Sequence, residues 1–238
     1  MNDAAEKPKA AAPNSFRLVA TLAGIAMMSG LLVATVYQVT LEPIRENRRK
    51  ALEDAVFKVL PDATSRKNFL LDETGLTPLS DENISQANVY AGYNDQGVLA
   101  GVAMEGAARG YQDVVKVLYG YLPEREVIIG FTVLQSSETP GLGDRVETDP
   151  DFLANFNPLD AKLNEAGTAL ANEIVTVKSG KKTDPWQIDA ISGATITSAA
   201  IGQALQSSAS EMLPRLHKNK DMLMAEAPTI PQPEDKAP

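Results

Sequence analysis

The rhythm of hydrophobic and polar residues changes three times along this chain. From Leu18 to Leu41 no side chain is charged (LVATLAGIAMMSGLLVATVYQVTL). About 24 residues rising ~1.5 Å each give a helix of ~36 Å, enough to cross a ~30 Å hydrocarbon core. The small residues around Gly24 and Gly30 suit close packing against other membrane helices, and Tyr37 suits the interface. A transmembrane helix over 16–41 is therefore predicted. A cleaved signal peptide fits less well, because the uncharged run is long and no small-x-small site follows it. Over 42–61, Ile44, Leu52, Val56, Val59 and Leu60 recur at near-helical spacing. They predict an amphipathic connecting helix, stopped by Pro61-Asp62.

Between about 87 and 136 the rhythm shortens to strand-like runs. NVYAGY and VLAGVAME flank Asn94-Asp95-Gln96-Gly97 and read as a hairpin. VVKVLYGYL and EVIIGFTVL follow, joined by Pro123-Glu124-Arg125. Residues 149–171 read as helical or irregular, and EIVTVK (173–178) as a further strand. After Thr195 the helical rhythm returns in ITSAAIGQALQSSASEMLPRL, expected to kink or end near Pro214. Strands grouped together with helices at the ends predict an α+β fold, a mostly antiparallel sheet with flanking helices. The folded domain is expected over 62–217. Residues 1–15, rich in Ala, Pro and Lys, and the Pro-rich residues 218–238 read as disordered tails.

Charge and composition narrow the chemistry. The net charge is −9, and 7 of 22 basic and 4 of 31 acidic side chains lie in the first 50 residues. Residues 51–238 therefore hold 15 basic against 27 acidic groups, a net of −12. A body this acidic is a poor match for phosphate backbones, which excludes nucleic acid as a partner. With no Cys and one His, His217, the chain offers no thiol nucleophile, no thiolate ligands and no multi-His metal centre. Redox or transfer chemistry here would fall to a bound cofactor. Lys7, Lys9 and Arg17 precede the apolar run, and Arg45, Arg48, Arg49 and Lys50 follow it. The positive-inside tendency weakly favours a cytoplasmic body.

Two short strings carry the candidate chemistry. In Asp189-Ala-Ile-Ser192-Gly193-Ala194-Thr195-Ile-Thr197-Ser198, an extended lead-in turns through Ser-Gly into a helix start rich in hydroxyls. A helix N-terminus presents unpaired N–H groups and the positive end of the dipole, a natural seat for phosphate. By composition alone an ordinary cap, with Ser192 or Thr195 supplying the oxygen, explains the string better. The second string is Ser137-Glu138-Thr139-Pro140-Gly141-Leu142-Gly143-Asp144, whose proline and glycines specify a tight turn able to approach a flat ligand. Taken alone, it reads as a plain loop after a strand.

The first string resembles the flavinylation motif of the FMN-binding domains of Rnf and Nqr respiratory complexes, and the second resembles the Glu-Thr-Pro-Gly-Leu-Gly loop of the same family. The resemblance extends from the apolar run to the last helix. Length and the Leu-Gly-Asp ending are more similar to the Rnf (Rsx) G subunits than to the Nqr C subunits. It implies FMN joined through its phosphate to Thr195, with Ser192, Gly193, Ala194 and Thr197 around it. Glu138, Thr139, Leu142 and Gly143 would lie against the isoalloxazine ring, and Asp189 would serve recognition by a flavin transferase. It also implies partners: membrane subunits (one also flavinylated), an iron–sulfur subunit and an NADH-handling subunit. Together these link ferredoxin and NAD to ion movement. The resemblance places the chain in the inner membrane, single-pass, with a periplasmic C-terminal domain, against the weak lean of the flanking charges. Gly110-Tyr111 and Val115–Leu118 resemble an upstream strand of the family, but Gln112-Asp113 replaces its small residues and puts a ring contact there in doubt. Two rival readings predict no covalent flavin: an assembly module whose fold has lost its cofactor, and a tethered extracytoplasmic ligand-binding domain.

Overall fold

The computed structural model describes residues 15–225. Of the expected tails at 1–15 and 218–238, residues 1–14 and 226–238 lie outside the described residues. Two units are distinguished, the first ending at Arg48 and the second beginning at Arg49.

A single helix, α1 (Ser15–Val59), covers both the apolar run and the expected connecting helix. Among the described residues it alone is long and apolar enough to cross a membrane. Pro43 lies inside it without ending it. The carbonyl deprived of a donor is that of Val39, an exposed residue.

The second unit is built on a seven-stranded sheet. Its strands are β1 (Ser65–Leu71), β2 (Leu76–Leu79), β3 (Val89–Tyr93), β4 (Leu99–Arg109), β5 (Val114–Leu122), β6 (Val127–Gln135) and β7 (Leu159–Asp160). Their order is β2-β1-β3-β4-β5-β6-β7, and every pairing is antiparallel. The α+β expectation is met. The hairpin turn forms as its residues dictate, with Asn94 Oδ1 accepting from Gln96 N and Val98 N.

Both faces of the sheet are covered, which explains why β3 is buried at every position instead of alternating. One face receives α3 (Thr195–Lys218), whose Ile201, Ala204, Leu205, Ala209, Leu213 and Leu216 recur at helical spacing and are buried. Val56 and Val59, at the end of α1, and Leu60 just after it join Tyr90, Ala103 and Leu118 in a second core cluster. There the approach is so close that a Cβ on Gly120 would stand 2.3 Å from the Val59 carbonyl oxygen. A short helix, α2 (Pro150–Ala154), is capped by Asp149, which accepts from Phe152 N. Phe131, Phe152 and Phe156 meet beside it with ring centroids 4.5–6.0 Å apart. Two short parallel strands, β8 (Val175–Val177) and β9 (Gln187–Asp189), lead into α3.

Three expectations are corrected. The pair β1–β2 forms where no strand was expected, because the charge that masks its pattern meets partners from other segments. The Arg66 side chain is 6% exposed, 3.3 Å from Asp81 and 3.7 Å from Glu53. Next, α3 runs through Pro214 to Lys218. The proline ring is buried, and the carbonyl it leaves without a donor belongs to exposed Ser210. Lastly, the folded domain does not stop at 217. Residues Lys220–Ala225 form α4, held by buried Leu223, whose carbonyl accepts from the Tyr93 hydroxyl at 2.7 Å.

Candidate functional site

Three segments distant in sequence converge on one cleft of about 460 Å³: the β4–β5 turn, the loop after β6, and the start of α3. The lining comprises Tyr111, Glu138, Thr139, Leu142, Gly143, Gly193, Ala194, Thr195, Ile196 and Thr197. Eight of the expected site residues thus stand together. Ser192 and Asp189 lie outside the lining.

Glu138 joins the three segments. It is 8% exposed. One carboxylate oxygen accepts from the Gln112 backbone N–H at 2.9 Å, and the other accepts from the Thr197 hydroxyl at 2.5 Å. Glycines make room for it on two sides. A Cβ at Gly110 would stand 2.6 Å from its Oε1, and one at Gly143 would stand 2.6 Å from its Cβ and 2.9 Å from its Oε2. Burial pushes the carboxyl pKa up, but hydrogen bonds from Thr197 and the backbone of 111–113 outweigh it, leaving Glu138 below its ordinary value.

The β4–β5 turn therefore belongs to the site despite its unusual Gln112-Asp113. Gln112 contributes its backbone N–H to Glu138 and its side-chain amide to the Thr139 hydroxyl at 2.9 Å. Tyr111, two-thirds exposed, stands in the lining. Sequence reasoning missed Gln112 as a site residue. The signal was its place directly after Gly110-Tyr111, where the backbone must turn back toward the loop after β6.

The start of α3 is not an ordinary cap. Ala194 occupies the cap position and no side chain caps the helix, so its first-turn N–H groups keep their hydrogen-bonding capacity. Ser198, fully buried, instead turns its hydroxyl back to accept from Ile191 N at 3.1 Å. Of the three threonines in the lining, Thr139 is bonded to Gln112 and Thr197 to Glu138. Thr195 is exposed.

The residues outside the lining shape the lead-in. The Asp189 carboxylate accepts from Gly180 N at 2.8 Å and Lys181 N at 3.2 Å. Its backbone N–H and carbonyl are both bonded to the side chain of buried Asn155. Lys182 donates to Asn155 Oδ1 at 3.1 Å. Partial burial lowers its pKa against the opposing pull of Asp189. The Ser192 carbonyl accepts from Arg145 Nη1 at 3.3 Å, and Arg145 is paired with Asp149 at 2.9 Å.

An FMN-binding domain family model matches residues 110–210, which span all three cleft segments. Several curated G subunits of ion-translocating oxidoreductase complexes are similar along most of their length. The one from Shewanella piezotolerans is 30% identical over 187 residues, 74% of this chain and 78% of the relative. The one from Methanosarcina acetivorans is 29% identical over 191 residues, 80% of this chain and 90% of the relative. Among solved structures, Shewanella oneidensis NqrC superposes with a TM-score of 0.57 at 20% identity, covering 76% of this chain and all of that one. The C subunit of the Na(+)-translocating NADH-quinone reductase from Parabacteroides distasonis gives 0.50 at 20% identity, covering 70% of this chain and 80% of that one. These two likenesses establish the fold.

Proposed function

The chain belongs to the family of ion-translocating oxidoreductase complex G subunits, and on that premise we propose that it is a membrane-anchored electron-transfer flavoprotein of an Rnf-type complex, carrying FMN phosphoester-linked to Thr195. The observation that carries the attachment point is the contrast among the cleft threonines. Thr139 and Thr197 have committed hydroxyls, Thr197 being 2% exposed. Among the described residues, only Thr195 brings to the cleft an exposed threonine hydroxyl without a hydrogen-bond partner.

The residues fit such a group. Thr195 opens a 24-residue helix whose N-terminus no side chain caps, so backbone N–H groups and the helix dipole favour a phosphate there. Leu142, Ile196 and Tyr111 are more than half exposed yet line the cleft, supplying apolar surface for a flat ring. The cleft volume lies within the roughly 300–1,000 Å³ of small-molecule sites. FMN, when bound, supplies one- and two-electron chemistry. The chain's part is to offer the Thr195 hydroxyl oxygen, which would form the new P–O bond as the pyrophosphate P–O bond of a flavin dinucleotide breaks, with the nucleoside monophosphate leaving and the hydroxyl proton passing to solvent. The Glu138–Gly143 loop would hold the ring. Asn155, Asp189 and Arg145 shape the attachment loop before a flavin transferase acts on it, so the motif's opening aspartate serves first as a structural acceptor.

In this reading α1 is a retained anchor in the inner membrane and the sheet domain is periplasmic. Its partners are the complex's membrane subunits, a flavinylated one among them, its iron–sulfur subunit and its NADH-handling subunit, which couple ferredoxin and NAD to ion movement. The test is in-gel fluorescence of the denatured protein after co-expression with a flavin transferase. The wild-type band is expected to fluoresce, and the Thr195→Val band to be dark. A dark wild-type band, beside a control substrate that the same transferase labels, would sink the proposal in favour of a cofactorless binding module.

A further inference from the structure

Glu138 is more than the joint between two loops. A glutamine could satisfy the same neighbours, its oxygen accepting from Gln112 N–H and its amide donating to a rotated Thr197 hydroxyl. A carboxylate in that place adds a desolvation cost that a neutral side chain avoids. No counter-charge pairs with it: among the described residues no Lys or Arg forms an ion pair with Glu138, and the nearby pairs are Arg109–Asp113 and Arg145–Asp149. The hydrogen bonds to its two oxygens keep it ionised at neutral pH. Gly110 and Gly143, lacking side chains, let the carboxylate pack closely into the cleft lining, where its two oxygens are held by hydrogen bonds from Gln112 and Thr197. The sheet domain thus builds a hydrogen-bonded carboxylate with no ion-pair partner into the wall of the cleft.

We propose that Glu138 is a redox-tuning residue, whose carboxylate in the cleft wall holds the reduction potential of the bound flavin low. The proposal rests on the reading of this cleft as the flavin site. Reduction delivers electrons from a donor subunit and protons from water to the ring, and Glu138 gives up neither. It acts only through its field, which opposes added negative charge on the ring. In a partly buried setting of effective dielectric about 20 such a field remains strong over several ångströms.

The test is a spectroelectrochemical titration of the full-length, flavin-loaded protein in detergent, with two isosteric variants of opposite sign. Glu138→Gln removes the charge and keeps hydrogen-bonding capacity. Gln112→Glu adds a charge at the neighbouring position, where the Thr139 hydroxyl can donate to it. At a fixed electrode potential, Glu138→Gln is expected to raise the reduced-to-oxidised ratio on the order of tenfold. Gln112→Glu should lower the ratio by a smaller factor, because residue 112 is exposed and its charge is screened. A purely structural role for Glu138 predicts no such opposition. A Glu138→Gln ratio equal to wild type, or both variants shifting the same way, overturns the inference. If Glu138→Gln fails to load, Gln112→Glu decides alone, and an unchanged or raised ratio refutes the proposal. Loaded wild type with unresponsive variants overturns this inference only, whereas wild type that never takes up flavin overturns the functional reading with it.

Discussion

Replacing Gly143 by alanine tests the architecture of the cleft most directly. The added Cβ would stand 2.6 Å from Glu138 Cβ, 2.9 Å from Glu138 Oε2 and 3.1 Å from Thr197 Oγ1. Carbon atoms in contact settle about 3.5–4.0 Å apart, so the loop or the glutamate must retreat by roughly 1 Å. Overpacking of this kind costs about 1–3 kcal/mol. If the retreat also breaks the Thr197–Glu138 bond, a hydrogen bond to a charged group worth about 1.5–3 kcal/mol is lost as well. The two are not additive, because breaking the bond relieves part of the overlap, and about 2–4 kcal/mol is expected in all. For a domain of this size that lowers the melting temperature by about 5–15 °C. Gly141→Ala is the internal control. Gly141 has φ 78° but nothing within 4 Å of its missing Cβ, so only backbone strain of roughly 1 kcal/mol is expected. The assay is thermal and urea unfolding of the full-length protein in detergent, with in-gel flavin fluorescence in parallel. Gly143→Ala should be clearly the less stable of the two and should load less flavin. If it unfolds no earlier than Gly141→Ala, the crowding around Glu138 is not what shapes the cleft.

Two further outcomes are expected. Because the folded-state pKa of Glu138 is depressed, its contribution to stability is complete above the unfolded value, about 4.3, and is lost as pH falls through the lower folded value. Urea midpoints of wild type should therefore drop on acidification below about pH 4 more steeply than those of Glu138→Gln, and parallel curves would show that Glu138 carries no such linkage. A topology reporter fused after Pro238 should be active only outside the cytoplasm. Activity confined to the cytoplasm would reverse the orientation and vindicate the basic residues that follow the apolar run.

Much of the fold was legible because it depends on short-range rules. The hairpin at Asn94–Gly97 is specified by the residues that form it, since Asn94 bonds its own turn. The helix after Thr195 announces itself by the spacing of Ile201, Leu205, Leu213 and Leu216. The β1–β2 pair stayed hidden because strand recognition relies on apolar alternation. Arg66 and Asn68 occupy interior positions that become tolerable only when Asp81 and Glu53 arrive from other segments. The helix α4 was hidden for a similar reason: six residues have little helical preference of their own, and it is the Tyr93 hydroxyl that fixes the Leu223 carbonyl in place.

Residue types and their order settle the chemistry on offer: a hydroxyl-rich helix start, a glycine-shaped loop bearing one carboxylate, an uncharged helix long enough for a membrane, and no thiol. Those properties reside in separations of a few positions, within reach of local sterics and backbone hydrogen bonding. Which hydroxyl is free was settled only by the packed fold. Thr195 and Thr197 are two residues apart in one motif, and no local rule distinguishes them. Only when β6 delivers Glu138 to the second of them is that hydroxyl buried and committed, leaving the first at the open mouth of the cleft. The selection depends on a hydrogen bond between residues 59 positions apart, a contact that exists only after the sheet has assembled and α3 has packed across it.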